Sequence, residues 1–186
     1  MRALNIFKIR AFPELQTERL TLRSPNATGA QAYHQILSYP QTAQFSDVPI
    51  QPSEKKSAEF VNWMTKLHKR GKGIAWLLQT KDTHTIIGSV RISSIDKKIK
   101  CGTIAYELHP EHWHQGYASE ALHALVKHAH KVMELNRLEA YVIGDNKASD
   151  SVLLKNGFVL EGEIRHKVWL QEQFWDVRLY GRLAVD

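Results

Sequence analysis

The chain has 186 residues, 43% of them hydrophobic and 24% Asp, Glu, Lys or Arg, values that fit one globular domain over 1–186 and exclude intrinsic disorder, a collagen-like repeat and a disulfide-bonded miniature. Lys plus Arg total 25 against 19 Asp plus Glu, a formal net charge of +6, which suits an anionic partner without choosing among phosphate, nucleic acid and acidic protein. The one cysteine, Cys101, can form no intramolecular disulfide, the segment Met1 to Leu15 lacks the apolar core of a signal peptide, and no run of about 18 apolar residues is present to span a bilayer, so a soluble, cytoplasmic protein away from membranes is expected.

Thr17 to Arg23 alternates Leu20 and Leu22 with polar neighbours, the period of a half-buried strand, and Ser24-Pro25-Asn26 stops it. Thr28 is placed to cap a helix through Leu37, and Pro52-Ser53-Glu54 opens another to about Arg70 with Phe60, Met64 and Leu67 at helical spacing. Ile74 to Gln79, Thr85 to Ile95 and Ile99 to Leu108 read as three strands joined by short turns, which favours antiparallel neighbours. From Tyr117 to Glu134 the period becomes helical, with Leu122, Leu125, Ala129 and Val132 or Met133 on one face. A strand over Arg137 to Ile143, a helix over Lys147 to Lys155 ended by Asn156-Gly157, and a closing pair, Phe158 to Ile164 and Trp175 to Leu183, complete the order βααβββαβαββ. No linker or repeat interrupts it, so one mixed α/β sheet with helices on both faces is predicted.

The segment from Tyr106 to Ala121 reads as a strand, a turn and a helix start rich in small residues. Gly116 and Ala118 allow close backbone approach, and the first helical N–H groups are unpaired at the positive end of the dipole. That combination is a seat for an anion such as a pyrophosphate. One glycine at a helix start is more often a cap, but Glu107 ends the preceding strand, and a second polar cluster, Gly144 to Ser151, follows about thirty residues later. In that cluster Asn146 and Ser149 are, at face value, an ordinary helix cap and a first-turn serine.

The strand-turn-helix YELHPEHWHQGYASEAL, the later DNKASDSVLLKNGF and the closing QFWDVRLYGRL, in this order and spacing, resemble the GNAT acyl-CoA N-acyltransferases, in particular the ribosomal-protein (RimJ/RimL-type) branch. The resemblance extends from TERLTLR to the last strand. It implies a splayed, mostly antiparallel sheet of about seven strands, acetyl-CoA (coenzyme A) as co-substrate, no metal, and direct attack of an amine on the thioester in a ternary complex. It also implies that the pyrophosphate is held by backbone N–H groups of His114, Gln115, Gly116, Tyr117, Ala118 and Ser119. Trp113 stands where the family usually has Gln or Arg. Between the strand ending near Leu108 and the strand Arg137 to Ile143, a slot would let the pantetheine arm pair with exposed backbone.

An α-amine has a pKa of about 8 and a lysine amine about 10.4, so a primary amine is largely protonated at neutral pH and needs a base before it can attack. The resemblance assigns that role to Glu107, directly or through a water, with partial burial raising its pKa. It places a backbone N–H, that of Leu108 or a neighbour, at the developing oxyanion. Many relatives protonate the departing thiolate with a tyrosine where this chain has Leu153, and the resemblance offers Ser149 instead, with Asn146 bonding the cofactor arm. The resemblance implies as acceptor a protein N-terminal amine or a small-molecule amine, and a monomer or homodimer is expected.

His109, His112, His114, His123, His128 and His130 lack the i, i+4 pairing and carboxylate partner of a metal site and read as solvated or capping residues. Cys101 has no activating neighbour and reads as a buried small residue. Trp175, Asp176 and Tyr180 read as core packing with a satisfied carboxylate, or with Asp176 lining the acceptor pocket; Phe45-Ser46-Asp47 and Trp63 fall where relatives build the acceptor wall. The absent tyrosine at Leu153 motivates a catalytically weak acyl-CoA sensor as the alternative function. Nucleic-acid binding rests on charge alone, without a basic helix or aromatic RNA motif, and no specific nucleic acid is expected.

Overall fold

The computed structural model describes residues 11–45 and 53–186, which form one eight-stranded sheet in the order β1-β2-β3-β4-β5-β6-β8-β7. Its strands are β1 (Leu15–Gln16), β2 (Leu20–Arg23), β3 (Ile74–Thr80), β4 (Ile86–Asp96), β5 (Cys101–Leu108), β6 (Arg137–Ile143), β7 (Val159–Leu170) and β8 (Gln173–Leu183). Every neighbouring pair is antiparallel except β5 and β6. The helices are α1 (Ala27–Ser38), α2 (Pro40–Ala43), α3 (Glu54–Lys69), α4 (Tyr117–Lys131) and α5 (Lys147–Lys155).

The expected mixed sheet is present, with local differences that have physical causes. The added strand β1 is two residues long, too short to show a period. Asn26, not Thr28, caps α1: its extended backbone lets its side chain accept from the Gly29 N–H, the geometry Asn favours. Ser53 caps α3 by accepting from Lys56 N–H, and Val61, Met64 and Leu67 are its buried apolar stripe. Helix α4 stops at Lys131, short of Glu134, which adopts a left-handed φ of 56°; Val132 is exposed while Met133 is buried. The final hairpin is longer than its sequence suggests because its turn, Gln171-Glu172, has two left-handed residues. Neither is the Asn or Gly that usually marks such a turn.

Helices α1 and α3 cover one face, where Tyr33, Ile36, Leu37, Val61, Met64 and Leu67 pack on Ala75 and Leu77. Helices α4 and α5 cover the other, where Leu122, Leu125, Ala129 and Leu153 meet Trp76, Val90, Ile104, Leu138 and Val142. Burying one such leucine or valine side chain contributes roughly 1.5–3 kcal/mol. Among the described residues no helix is long and apolar enough to cross a membrane.

The feature that positions the site is the seam between β5 and β6. They pair in register from Cys101 with Arg137 to Ile104 with Ala140, and among the described residues no further pairing continues it. Meanwhile β5 stays on β4 as far as Leu108, and β6 stays on β8 as far as Ile143. Each strand keeps its outer partner, and the sheet opens between them.

Candidate active site

One edge of the opening is the last turn of β5. His109 N–H donates to the Ile87 carbonyl at 2.7 Å, while Gly88 stands opposite Leu108. In an antiparallel ladder, residues flanked by such a bond alternate with residues whose N–H and C=O face away from the partner strand. Leu108 is one of the latter. Its carbonyl accepts from the Trp113 indole N–H at 2.8 Å, which gives Trp113 a place in the loop, and its N–H faces the gap. The close approach of β4 requires glycine at position 88, where a Cβ would lie 2.3 Å from the Glu107 carbonyl oxygen.

The loop after β5 runs through a 3₁₀ turn, Pro110–His112, to the start of α4. His114 and Gly116 both take left-handed φ values, 59° and 83°, and Gly116 occupies the N-cap position with no side-chain cap among the described residues. The N–H groups of Tyr117, Ala118 and Ser119 therefore have no intrahelical acceptor. Arg19 borders them: its Nη1 donates to the Gln115 carbonyl at 2.9 Å, its backbone N–H and Nε bond the Glu120 carboxylate, and its guanidinium lies 4.3 Å from the centre of the Tyr117 ring. The Ser119 hydroxyl accepts from Asn156 Nδ2 at 3.0 Å, tying the end of α5 to this turn. Uncapped donors beside a guanidinium fit a diphosphate, so the residues expected to hold coenzyme A fit that group.

Strand alternation sends neighbouring side chains of β5 to opposite faces. Glu107 rises on the α1/α3 face, 10% exposed, paired with the Arg91 guanidinium, which is 8% exposed. Arg91 also donates to Ser89 Oγ at 3.3 Å and lies over the Phe60 ring at 5.2 Å, and Ser89 Oγ shares a 3.2 Å hydrogen bond with the Tyr33 hydroxyl. The second carboxylate oxygen of Glu107, Oε1, is buried with no hydrogen-bond partner among the described residues. Burial pushes the Glu107 carboxyl up, to about 8; the Arg91 charge acts against that rise. An acid near 8 is matched to proton exchange with an α-amine.

Tyr106, on the α4/α5 face, places its hydroxyl 2.7 Å from Ser149 Oγ and 3.2 Å from the Ser149 carbonyl oxygen. Asn146 Oδ1 accepts from the Ser149 N–H at 3.1 Å, the cap that the sequence suggests. Asp150 bonds Arg178 through both oxygens and accepts from the Tyr180 hydroxyl at 2.9 Å, which fixes α5 to β8.

The predicted site residues thus gather at one end of the sheet. Leu108 lines the gap, and His114 to Ser119 form the helix-start loop. Asn146 and Ser149 sit on one face, and Glu107 sits on the other. Arg91 and Tyr106 escape a sequence reading because nothing in the pattern says what a strand residue faces, and Arg19 because it lies in the bend before β2, far in sequence from the helix start it borders; the only hint for Tyr106 is its place beside Glu107. Leu153 is fully buried in the core. Asp176 accepts from the His166 N–H at 2.8 Å, and Trp175 packs against Gly144. Trp63 is partly exposed beside Phe60, whereas Ser46 and Asp47 lie outside the described residues. Burial pushes the Cys101 thiol up to about 11, and among the described residues no group of three His, Cys, Asp or Glu is placed to hold a metal.

The acetyltransferase (GNAT) domain profile matches residues 19–159. An N-acetyltransferase of unassigned substrate from Bacillus subtilis, YoaA, is 30% identical over 91% of this chain and 96% of its own length. The ribosomal-protein-serine acetyltransferase of Escherichia coli is 33% identical over 80% of this chain and 78% of its own. Among solved structures, RimL, the ribosomal L7/L12 α-N-protein acetyltransferase in complex with coenzyme A, superposes with a TM-score of 0.83 at 25% identity, covering 92% of this chain and 98% of that one.

Proposed function

The chain belongs to the GNAT acetyltransferase family and is an acetyl-CoA-dependent N-acetyltransferase, and from that premise we propose that it acetylates the N-terminal α-amine of a protein, with Glu107 as the base. When bound, acetyl-CoA supplies an activated acetyl group as a thioester. The N–H groups of the loop and helix start, His114 to Ser119, hold its diphosphate. The Leu108 N–H donates to the acyl oxygen as charge builds there. Ser149 faces the leaving sulfur from the α4/α5 side, and Asn146 holds Ser149 in place while bordering the cofactor arm.

The observation that carries this reading is the open edge of β5, with a buried carboxylate on one side and a hydroxyl pair on the other. The α-amine is favoured over lysine by proton arithmetic. At pH 7 about a tenth of an α-amine of pKa near 8 is neutral, against less than a thousandth of a lysine amine near 10.4. A base near 8 helps the first far more than the second. The named activities of the E. coli relative and of RimL point the same way, and the cytoplasm is the compartment that goes with such an acceptor in this reading.

The test is intact-mass analysis of proteins and peptides with free or blocked N-termini after incubation with acetyl-CoA. One acetyl group on the free N-terminus and none on the blocked peptide is expected. Acetylation of lysine side chains alone, or of small amines alone, refutes the acceptor assignment.

A further inference from the structure

The residue beside the base on β5 has a role the family resemblance does not assign. The Tyr106 phenol has one proton and two acceptors within reach, the Ser149 hydroxyl oxygen at 2.7 Å and the Ser149 carbonyl oxygen at 3.2 Å. Two arrangements of hydrogens satisfy this triangle. In one, the phenol donates to the carbonyl and accepts from the Ser149 hydroxyl. In the other, the phenol donates to Oγ and leaves the Ser149 proton free to turn toward the gap.

The heavy atoms need not move between these states. Asn146 holds the Ser149 N–H, and the next residue, Asp150, is clamped by Arg178 and Tyr180. The same Asp150 and Tyr180 are the titratable groups that face the phenol. Burial pushes the phenol above its ordinary range, so it stays a donor at any physiological pH.

We propose that Tyr106 is a positioning residue acting through Ser149: its proton switches from the Ser149 carbonyl to the Ser149 hydroxyl oxygen, so that Ser149 aims its own proton at a thiolate in the gap. The inference rests on the reading that Ser149 faces the sulfur. It also sets the kind of help given. A thiol has a pKa of about 8.5 and a phenol about 10, so moving a proton from this pair onto sulfur runs uphill. Both protons therefore remain on oxygen, no bond is made or broken at the pair, and the thiolate leaves with a hydrogen bond and takes its proton from water.

The experiment measures the pKa of the thiol of enzyme-bound coenzyme A, from thiolate absorbance in the ultraviolet, in the wild type, Tyr106→Phe, Ser149→Ala and the double variant. A hydrogen bond to a charged group is strong enough to shift that pKa by about one unit, roughly tenfold in the ionisation constant. Ser149→Ala is expected to raise the bound thiol's pKa by about that amount and to lower kcat by roughly ten- to a hundredfold, and Tyr106→Phe, which keeps the Ser149 hydroxyl but removes the donor that orients it, to produce a smaller rise and a smaller loss in the same direction. The double variant should lose no more than Ser149→Ala alone, because Tyr106 acts only through Ser149. Desulfo-coenzyme A, which lacks the thiol, should bind all four proteins with equal affinity and serves as the check on folding.

If Ser149→Ala alters neither the thiol pKa nor kcat, the placement of Ser149 at the sulfur is wrong. If Ser149→Ala acts and Tyr106→Phe matches the wild type, or if the two losses add, the switch is refuted while the placement stands. Should Tyr106→Phe fail to bind desulfo-coenzyme A, a fluorotyrosine introduced at position 106 keeps ring and hydroxyl but makes a stronger donor. The bound thiol's pKa must then fall further, and an unchanged value overturns the proposal.

Discussion

Glu107→Gln tests the proposed base apart from every other contribution of this site. The amide keeps the side chain's size and an oxygen to accept from Arg91, but it cannot take a proton. General-base catalysis contributes typically 10²–10⁴-fold, so turnover should fall by at least about a hundredfold while acetyl-CoA affinity, set on the helix-start loop, stays within about twofold. The pH profile gives the sharper reading. The proposed base works ionised, and burial raises its pKa to about 8, so kcat/KM is expected to rise with pH through that value and level off above it. Between pH 7 and pH 9 the ionised fraction grows from about a tenth to about nine-tenths, a gain of roughly ninefold. An α-amine titrates in the same window, so the assay uses a hydrazide acceptor that is neutral throughout. Stability runs in the opposite direction: a carboxyl raised in the folded state contributes stability that is fully present below its unfolded pKa of about 4.3 and is lost as pH rises through about 8. Urea midpoints should therefore fall between pH 5 and pH 9 in the wild type and less so in Glu107→Gln. Undiminished turnover in the variant, or an unchanged ionisation in its pH profile, would refute the assignment.

Arg91→Met removes the cation beside the base while keeping an unbranched side chain over Phe60; the carboxylate loses its partner, so the kinetic ionisation should move above its wild-type position and the rate at neutral pH should drop, as read from the same hydrazide profile. Arg19→Ala deletes the guanidinium bonds to Gln115 and Glu120 that hold the uncapped end of α4 and keeps the backbone N–H bond to Glu120. Calorimetry should show acetyl-CoA affinity weakened by about tenfold, in keeping with loss of charge-assisted hydrogen bonds, with kcat little changed.

Much of the scaffold is legible because its physics is local. Arg137 to Ile143 alternates, Lys147 to Lys155 lies between a capping Asn and a terminating Asn-Gly, and both elements fall where the periods put them. Errors arise where local signal is weak or geometry overrides it. Asn26 outcompetes Thr28 because it sits one residue outside the first helical position. The Gln171-Glu172 turn carries no glycine, and register shifts near Leu160 and Ile164 blur the alternation of β7. The site is less legible than the fold because its parts meet only through the sheet. Glu107 and Ser149 are distinguishable as polar residues at element ends, but the partners that tune them, Arg91 and Tyr106, sit mid-strand and become visible only when register and facing are known.

The opening itself would let the proposed base and hydroxyl serve one reaction although they occupy opposite faces. Tyr106 and Glu107 are adjacent, so a closed sheet would separate their side chains by its full thickness; between Ala105 and Leu108 no pairing toward β6 is present among the described residues, and a substrate lying in that opening touches both faces at once. The strand's own contribution to the proposed reaction is then the Leu108 N–H. Replacing that peptide bond by an ester, with the leucine side chain retained, removes the one donor that faces the gap and only weakens the Glu107 carbonyl as an acceptor toward β4, while the His109 ladder bond stays. Stability should fall by no more than about 1 kcal/mol, whereas loss of a donor aimed at developing charge lowers kcat by about 10²–10³. Single-turnover acetyl transfer and a urea titration on the same preparation separate the two effects. If turnover survives the ester, the acyl oxygen is held elsewhere and the gap positions the chain of the cofactor alone.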